Sequence, residues 1–423
     1  MILGPVSYLD CIVFCVFLAP QLLIHVGPIE TLAVVLRCLP FLVYKLPASF
    51  IHERYYTSRS QQSPFVQKAA PFEDFVVRCV RYAFANIPPK VGRVFFSRQV
   101  ALPFLRFRML RHGLVRSPIH WHEYEDVRAT FTSPELTKSL PLMLTVIQPR
   151  CRGVWLIKDP TRPVDVCVYY AHGGGFSMGS PYFYLEFLLT WVALLAQSGY
   201  RNPAIFALQY TLVPDDSFPT QLHQAIAGYQ HVLSMVRDPA RVCVSGDSAG
   251  ATIMLSLLLS RANMKHDANS QLNETGDWRQ ERPRMAAFIS PWTTLISPKH
   301  RNTPSDYLDE ERLHEFALDY ANRKAEPDDP RISPGNCRDA QWWERACPSG
   351  GIYVAYGTEE VFAPEIEDLV SFWETHGVNA SSQAEEAGIH AWPVASLFLC
   401  TSATNRQKGL KALVEQIKEN IRV

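Results

Sequence analysis

Hydrophobic positions fall into three regimes along this 423-residue chain. Residues 9–27 (LDCIVFCVFLAPQLLIHVG) are almost wholly apolar, and residues 32–47 (LAVVLRCLPFLVYKLP) are apolar but interrupted by Arg37, Pro40 and Lys45. From about residue 50 to 115 apolar residues recur at helical spacing among basic and aromatic ones, as in FEDFVVRCVRYAFANI, which predicts helices outside a sheet. From about residue 118 short β-rich runs take over: GVWLIKD, VDVCVYYAH, AIFALQY, RVCVSGD, RMAAFIS and GIYVAYG. Helical patterns lie between several of them, such as 219–236 and 249–262. Strands alternating with helices imply βαβ units, hence an α/β fold with a mostly parallel central sheet flanked by helices. The early strands lack intervening helices, so an antiparallel start is expected. Residues 263–283 are polar and read as a surface loop, and an amphipathic helix is expected at 404–421. The chain divides into a leader (1–49), a helical segment (50–115) and an α/β domain (116–423).

A bilayer-spanning helix needs about 20 apolar residues. The first stretch qualifies narrowly and the second hardly does. A cleaved signal peptide is a rival, yet no basic residue precedes the first stretch and no small-x-small site is well placed after it. A soluble cap helix is the third reading. The second stretch, with Lys45, Arg54 and Arg59 at or beyond its end, reads as an interfacial segment against headgroups. The expectation is a membrane anchor, single-pass or interfacial, in the endoplasmic reticulum. The basic flank would place the rest of the chain on the cytosolic side, whereas the sequons Asn273-Glu-Thr and Asn379-Ala-Ser suit a glycoprotein. The two clues oppose each other and leave topology open.

Composition narrows the partners. Lys plus Arg (41) balance Asp plus Glu (41), and no long run of like charge is present, which argues against nucleic acid. A neutral chain with 12% aromatic residues suits a small, hydrophobic, uncharged substrate. Ten cysteines, from Cys11 to Cys400, lack the short spacings of zinc sites or redox dithiols and read as inert small hydrophobes.

Residues 246–250, Gly-Asp-Ser-Ala-Gly, form a G-x-S-x-G pattern between an apolar β-run and the helix-forming run after it. That context is the strand–turn–helix of a nucleophile elbow, which makes Ser248 the candidate nucleophile. His172-Gly-Gly-Gly175 follows the strand VDVCVYYAH. Acyl transfer needs backbone N–H groups aimed at an oxyanion, and glycines let the backbone come that close. Gly173, Gly174 and Ala249 are the expected donors, with His172 bracing the loop. In this architecture acid and base follow the nucleophile in chain order. The last histidine, His390, is the expected base, and Glu359 and Glu360 after GIYVAYG both qualify as the acid that holds its tautomer. Asp247 is expected to brace a loop. The acyl-enzyme route calls for no metal and no organic cofactor.

These motifs together resemble the hormone-sensitive-lipase family of α/β-hydrolases, also called GDXG esterases. The resemblance covers roughly 115–420 and rests on HGGGF (172–176), QYTLVPDDSFP (209–219), GDSAG (246–250), SPW (290–292), YGTEE (356–360) and HAWP (390–393). It implies Glu360 rather than Glu359 as the acid, although aspartate is commoner there. It also implies a helical cap drawn partly from residues 50–115, with Phe176, Tyr182 and Tyr184 lining the pocket. The hydrophobic leader resembles fungal members, some of which look like steryl acetyl hydrolases or secondary-metabolite esterases. The expected function is hydrolysis of a short-chain, acetyl-type ester of a hydrophobic alcohol. The alternatives are acyl transfer by the same triad, or ligand binding on the same fold, where such proteins lose the histidine retained here.

Overall fold

The computed structural model describes residues 2–127, 149–263 and 278–422. At its centre is one eight-stranded sheet: β1 (His120–Val127), β2 (Pro149–Ile157), β3 (Val166–Ala171), β4 (Pro203–Leu208), β5 (Val242–Asp247), β6 (Met285–Ile289), β7 (Ile352–Gly357) and β8 (Ala380–Glu385). Their spatial order is β1-β2-β4-β3-β5-β6-β7-β8. β2 pairs antiparallel with β1 and with β4, and every other pairing is parallel. The mostly parallel sheet with an antiparallel start is therefore present.

The central strands are apolar on both faces because helices cover both. Along β3, Cys167, Tyr169 and Ala171 join one core cluster, while Val166, Val168 and Tyr170 join the other. This is the two-residue alternation of a strand with hydrophobic groups on both sides. Helices Thr220–Val236, Ser248–Asn263 and Ala363–Thr375 pack on the first face, and Leu185–Gln197 and Ala403–Asn420 on the second. β8 differs: its sequence ASSQAE is polar and half exposed, as an edge strand allows. All ten cysteines are unpaired, and Cys167 and Cys243 are buried within strands as expected.

Residues 50–115 are helical, with Pro64–Lys68, Pro71–Asn86, Pro89–Phe95 and Arg98–Arg111 as the main elements. Three of these begin at proline, whose fixed φ and missing N–H suit the first helical position. The leader departs from its expected division. The first stretch forms a helix, Tyr8–His25, but the second runs unbroken from Pro28 to Tyr56. π-type turns at Phe41–Lys45 and His52–Tyr56 carry the backbone past Pro40, which cannot donate a helical hydrogen bond. The Asn273 sequon and most of the 263–283 loop lie outside the described residues, and Asn379 is exposed.

Candidate active site

The chemistry-bearing residues converge at the C-terminal ends of β3, β5, β7 and β8. β5 ends at Asp247, and Ser248 turns the chain into its helix with φ 52, a left-handed value that few side chains adopt. The turn is tight enough that a Cβ on Gly250 would lie 2.2 Å from the Ala171 carbonyl. Trp292, of the SPW segment after β6, donates its N–H to the Ser248 carbonyl at 3.3 Å.

His390 and Glu360 meet. His390 Nδ1 lies 3.4 Å from Glu360 Oε2, and both side chains are enclosed. Among the described residues the Glu360 carboxyl has no other ion-pair partner; the Ser290 hydroxyl and loop backbone around Gly357 and Ala391 lie about it, none at strict hydrogen-bonding geometry. Burial pushes the Glu360 carboxyl up to about 8. Burial pulls His390 below its ordinary value, against the opposing charges of Asp306 and Asp247. A neutral imidazole at rest is the form a general base requires. Glu359 faces elsewhere: its carboxylate accepts the Ser305 hydroxyl at 3.1 Å.

The oxyanion loop requires a correction. Gly173 was an expected donor, but its N–H is donated to Asp247 Oδ1 at 2.8 Å. Asp247 also accepts the Tyr170 hydroxyl at 2.5 Å and the Tyr184 hydroxyl at 2.7 Å, which makes it the loop's brace. The N–H groups of Gly174 and Gly175 donate to no protein atom among the described residues. Ala249 stands in the first turn of its helix, where N–H groups lack intrahelical partners. Gly174 has φ +119, and a Cβ there would lie 2.4 Å from the Met178 carbonyl. Only glycine suits that approach. His172, pulled down to about 4 by burial, engages the Gly173 carbonyl through Nδ1 at 2.8 Å and braces the loop.

Asp306 escaped the sequence reading. It is buried, and its two oxygens accept the backbone N–H of His390 at 2.9 Å and of Val361 at 3.0 Å. One side chain thus ties the His390 loop to the Glu360 loop. Its setting, Pro304-Ser-Asp-Tyr-Leu, carries no periodicity or motif that marks it.

The expected pocket aromatics divide. Phe176 stacks on Tyr320 at 3.8 Å and approaches Trp292 at 5.5 Å beside the nucleophile. Tyr182 instead lies under Arg98, and Tyr184 sits behind Asp247. Over the oxyanion loop lie the 64–95 helices: Gly92 faces Met178, and Phe84 meets Phe316, whose ring abuts Gly175. Ser248 is only 6% exposed, so the site is closed.

A family model described as the alpha/beta hydrolase fold matches residues 168–394, more than half of the chain. An acetyl-hydrolase of Streptomyces hygroscopicus is 28% identical over 190 residues, 44% of this chain and 56% of that protein. Neutral cholesterol ester hydrolase 1 of Pongo abelii is 33% identical over 105 residues, 23% of this chain and 24% of that protein. The chain belongs to the hormone-sensitive-lipase family of α/β-hydrolases. The chain spans about half the length of the first relative and a quarter of the second. Its architecture is also that of a solved esterase from the bacterial hormone-sensitive lipase family, with TM-score 0.59, 19% identity, and coverage of 83% of this chain and 99% of that one.

Proposed function

We propose that this hydrolase is a serine carboxylesterase that cleaves short-chain, acetyl-type esters of hydrophobic alcohols, working at a membrane through its N-terminal helices. The observation that carries the reading is the His390–Glu360 pair at 3.4 Å, with no competing ion-pair partner among the described residues, at the same sheet edge as the strained Ser248 turn. Ser248 Oγ attacks the ester carbonyl, His390 takes its proton, and Glu360 fixes the tautomer and stabilises the imidazolium. The N–H groups of Gly174, Gly175 and Ala249 receive the developing oxyanion. His390 then protonates the departing alcohol, and water activated by the same imidazole releases the acid. The apolar substrate class is supported by the aromatic wall of Phe176, Trp292 and Tyr320. The acetyl preference is supported by the relative named an acetyl-hydrolase. Membrane association is supported by the exposed apolar surface of helices 8–25 and 28–56.

The test is turnover of p-nitrophenyl acetate, butyrate and decanoate by the full chain in mild detergent. Activity should fall with acyl length, and Ser248→Ala should lose at least about 10⁴-fold. Retained activity in Ser248→Ala defeats the nucleophile assignment. Product ester in place of free acid, when alcohols are supplied, turns the reading to acyl transfer.

A further inference from the structure

Helix Tyr8–His25 is apolar all round in sequence, yet its faces meet different surroundings. Asp10, Phe14, Leu18 and Leu22, four residues apart, face the protein. Asp10 is fully buried, paired with Arg111 and, at 3.4 Å, with Arg108. Arg108 continues to Glu186 at 2.7 Å and to the Gly4 carbonyl at 2.6 Å. Phe14 sits between Phe95 and Phe104, and Leu18 and Leu22 pack on Val91 and Val94. The opposite stripe, Leu9, Ile12, Val16 and Leu23, is exposed.

Helix Pro28–Tyr56 repeats the pattern. Leu32, Leu36, Leu39 and Val43 recur every three or four residues on an exposed stripe, while Phe41 stacks on Tyr82 at 3.9 Å. This inverts the soluble rule, in which the outward stripe is polar. Of the 23 large hydrophobic side chains exposed among the described residues, 17 belong to residues 8–56, so the exposed apolar surface is concentrated on these two helices. Its charges are sorted too. Glu30 and Glu53 are paired with Lys90 and Arg78, whereas Arg37, Lys45 and Arg59 are exposed with no ion-pair partner among the described residues.

A spanning helix does not fit this arrangement. Eighteen residues rise about 27 Å, so a single span would place Asp10 on the far side from the domain and part it from Arg108 and Arg111. A span of either kind, single or hairpin, would take Phe14, Leu18 and Leu22 away from Phe95, Phe104, Val91 and Val94. We infer that the two N-terminal helices form an in-plane seat, half-immersed in a single leaflet, locked to the catalytic domain by Asp10–Arg108–Glu186 and favouring anionic headgroups through Arg37, Lys45 and Arg59. The seat rests on the membrane association proposed above. It sets the leaflet beside helix 71–86, whose Phe84 reaches the cover of the oxyanion loop through Phe316.

The experiment uses the full chain, added from outside to sealed vesicles of phosphatidylcholine with or without phosphatidylserine. Tags at both termini and a cysteine at His25→Cys report positions before, after and between the helices. Protease should remove both tags, and an impermeant maleimide should label His25→Cys beyond the unsubstituted protein. A protected N-terminal tag means a single span, and an unlabelled His25→Cys with both tags cleaved means a spanning hairpin. Either overturns the seat while leaving membrane association intact. Failure to float with any vesicle defeats membrane association itself. A mature chain isolated from its host without residues 1–27 also overturns the seat. The triple variant Arg37→Gln/Lys45→Gln/Arg59→Gln should lose about a hundredfold of the phosphatidylserine-dependent binding and keep its p-nitrophenyl acetate turnover. Unchanged lipid dependence overturns the headgroup role.

Discussion

Asp247 and Glu360 are both enclosed carboxylates at the C-terminal edge of the same sheet, yet their surroundings are opposite. Asp247 accepts two tyrosine hydroxyls and the Gly173 N–H, so its charge is met by three fixed donors. Glu360 has the Ser290 hydroxyl and loop backbone nearby but no donor at strict hydrogen-bonding geometry among the described residues, and an imidazole 3.4 Å away. A saturated carboxylate holds geometry. An unsaturated one in the same low-dielectric setting is pushed toward its protonated form, so its charge depends on the imidazolium that forms beside it. On the proposed mechanism the loops differ accordingly: the one around Asp247 is a scaffold, and the one around Glu360 is the working part.

The sharpest way to break this comparison is Glu360→Gln. The amide preserves shape but cannot stabilise the imidazolium, so kcat should fall about 10⁴-fold with little change in KM. Stability should move the other way. The Glu360 carboxyl titrates near 8 when folded, against 4.5 ordinarily. Between those values the folded state holds a proton that the unfolded state has released, so this group's contribution to stability declines as pH rises through the window. Glu360→Gln removes that burden, and its melting temperature should exceed the parent's by a few degrees at pH 8, with the gap closing toward pH 4.5. A variant that melts lower at pH 8 would show that Glu360 is a structural acceptor after all.

Asp247→Ala should reverse the balance. It strands three donors, each costing about 1–3 kcal/mol when left buried and unmet. The expected result is a melting temperature lowered by roughly 5 °C or more, with kcat reduced about tenfold to a hundredfold as the oxyanion loop loosens. Asp247→Asn keeps an acceptor and should be milder on both readouts. If Asp247→Asn proves more damaging to turnover than Glu360→Gln, the two carboxylates have been assigned the wrong way round.

The difference between these two groups also explains what was readable from sequence. The sheet followed from strand and helix rhythm, and the places of Ser248 at the β5–helix turn and of His390 in the loop after β8 followed from strand–turn–helix patterning and chain order. The donor pair was not legible. HGGG shows that the backbone can approach a ligand, but which N–H remains free depends on Asp247, 74 residues away and brought close only by the pairing of β3 with β5. Asp306 was invisible for the same reason: its partners at Val361 and His390 are set by the meeting of three loops. The unbroken helix through Pro40 was missed because local propensity does not foresee a π-type turn.

The smallest effect expected is on the pH profile, and it tests Asp306 against both neighbours. Burial lowers the His390 value, so the acidic limb that His390 sets in kcat/KM should fall below pH 6.5. The Asp306 charge opposes that shift by favouring imidazolium. Asp306→Asn retains an amide oxygen for one backbone N–H but removes the charge, so the limb should move further down by a few tenths of a pH unit. The loss of the second acceptor should lower kcat a few-fold at the plateau, because His390 and the acid loop are then held less firmly. A limb that moves upward would mean that Asp306 does not favour the imidazolium. A plateau loss with an unmoved limb would reduce Asp306 to a structural clamp.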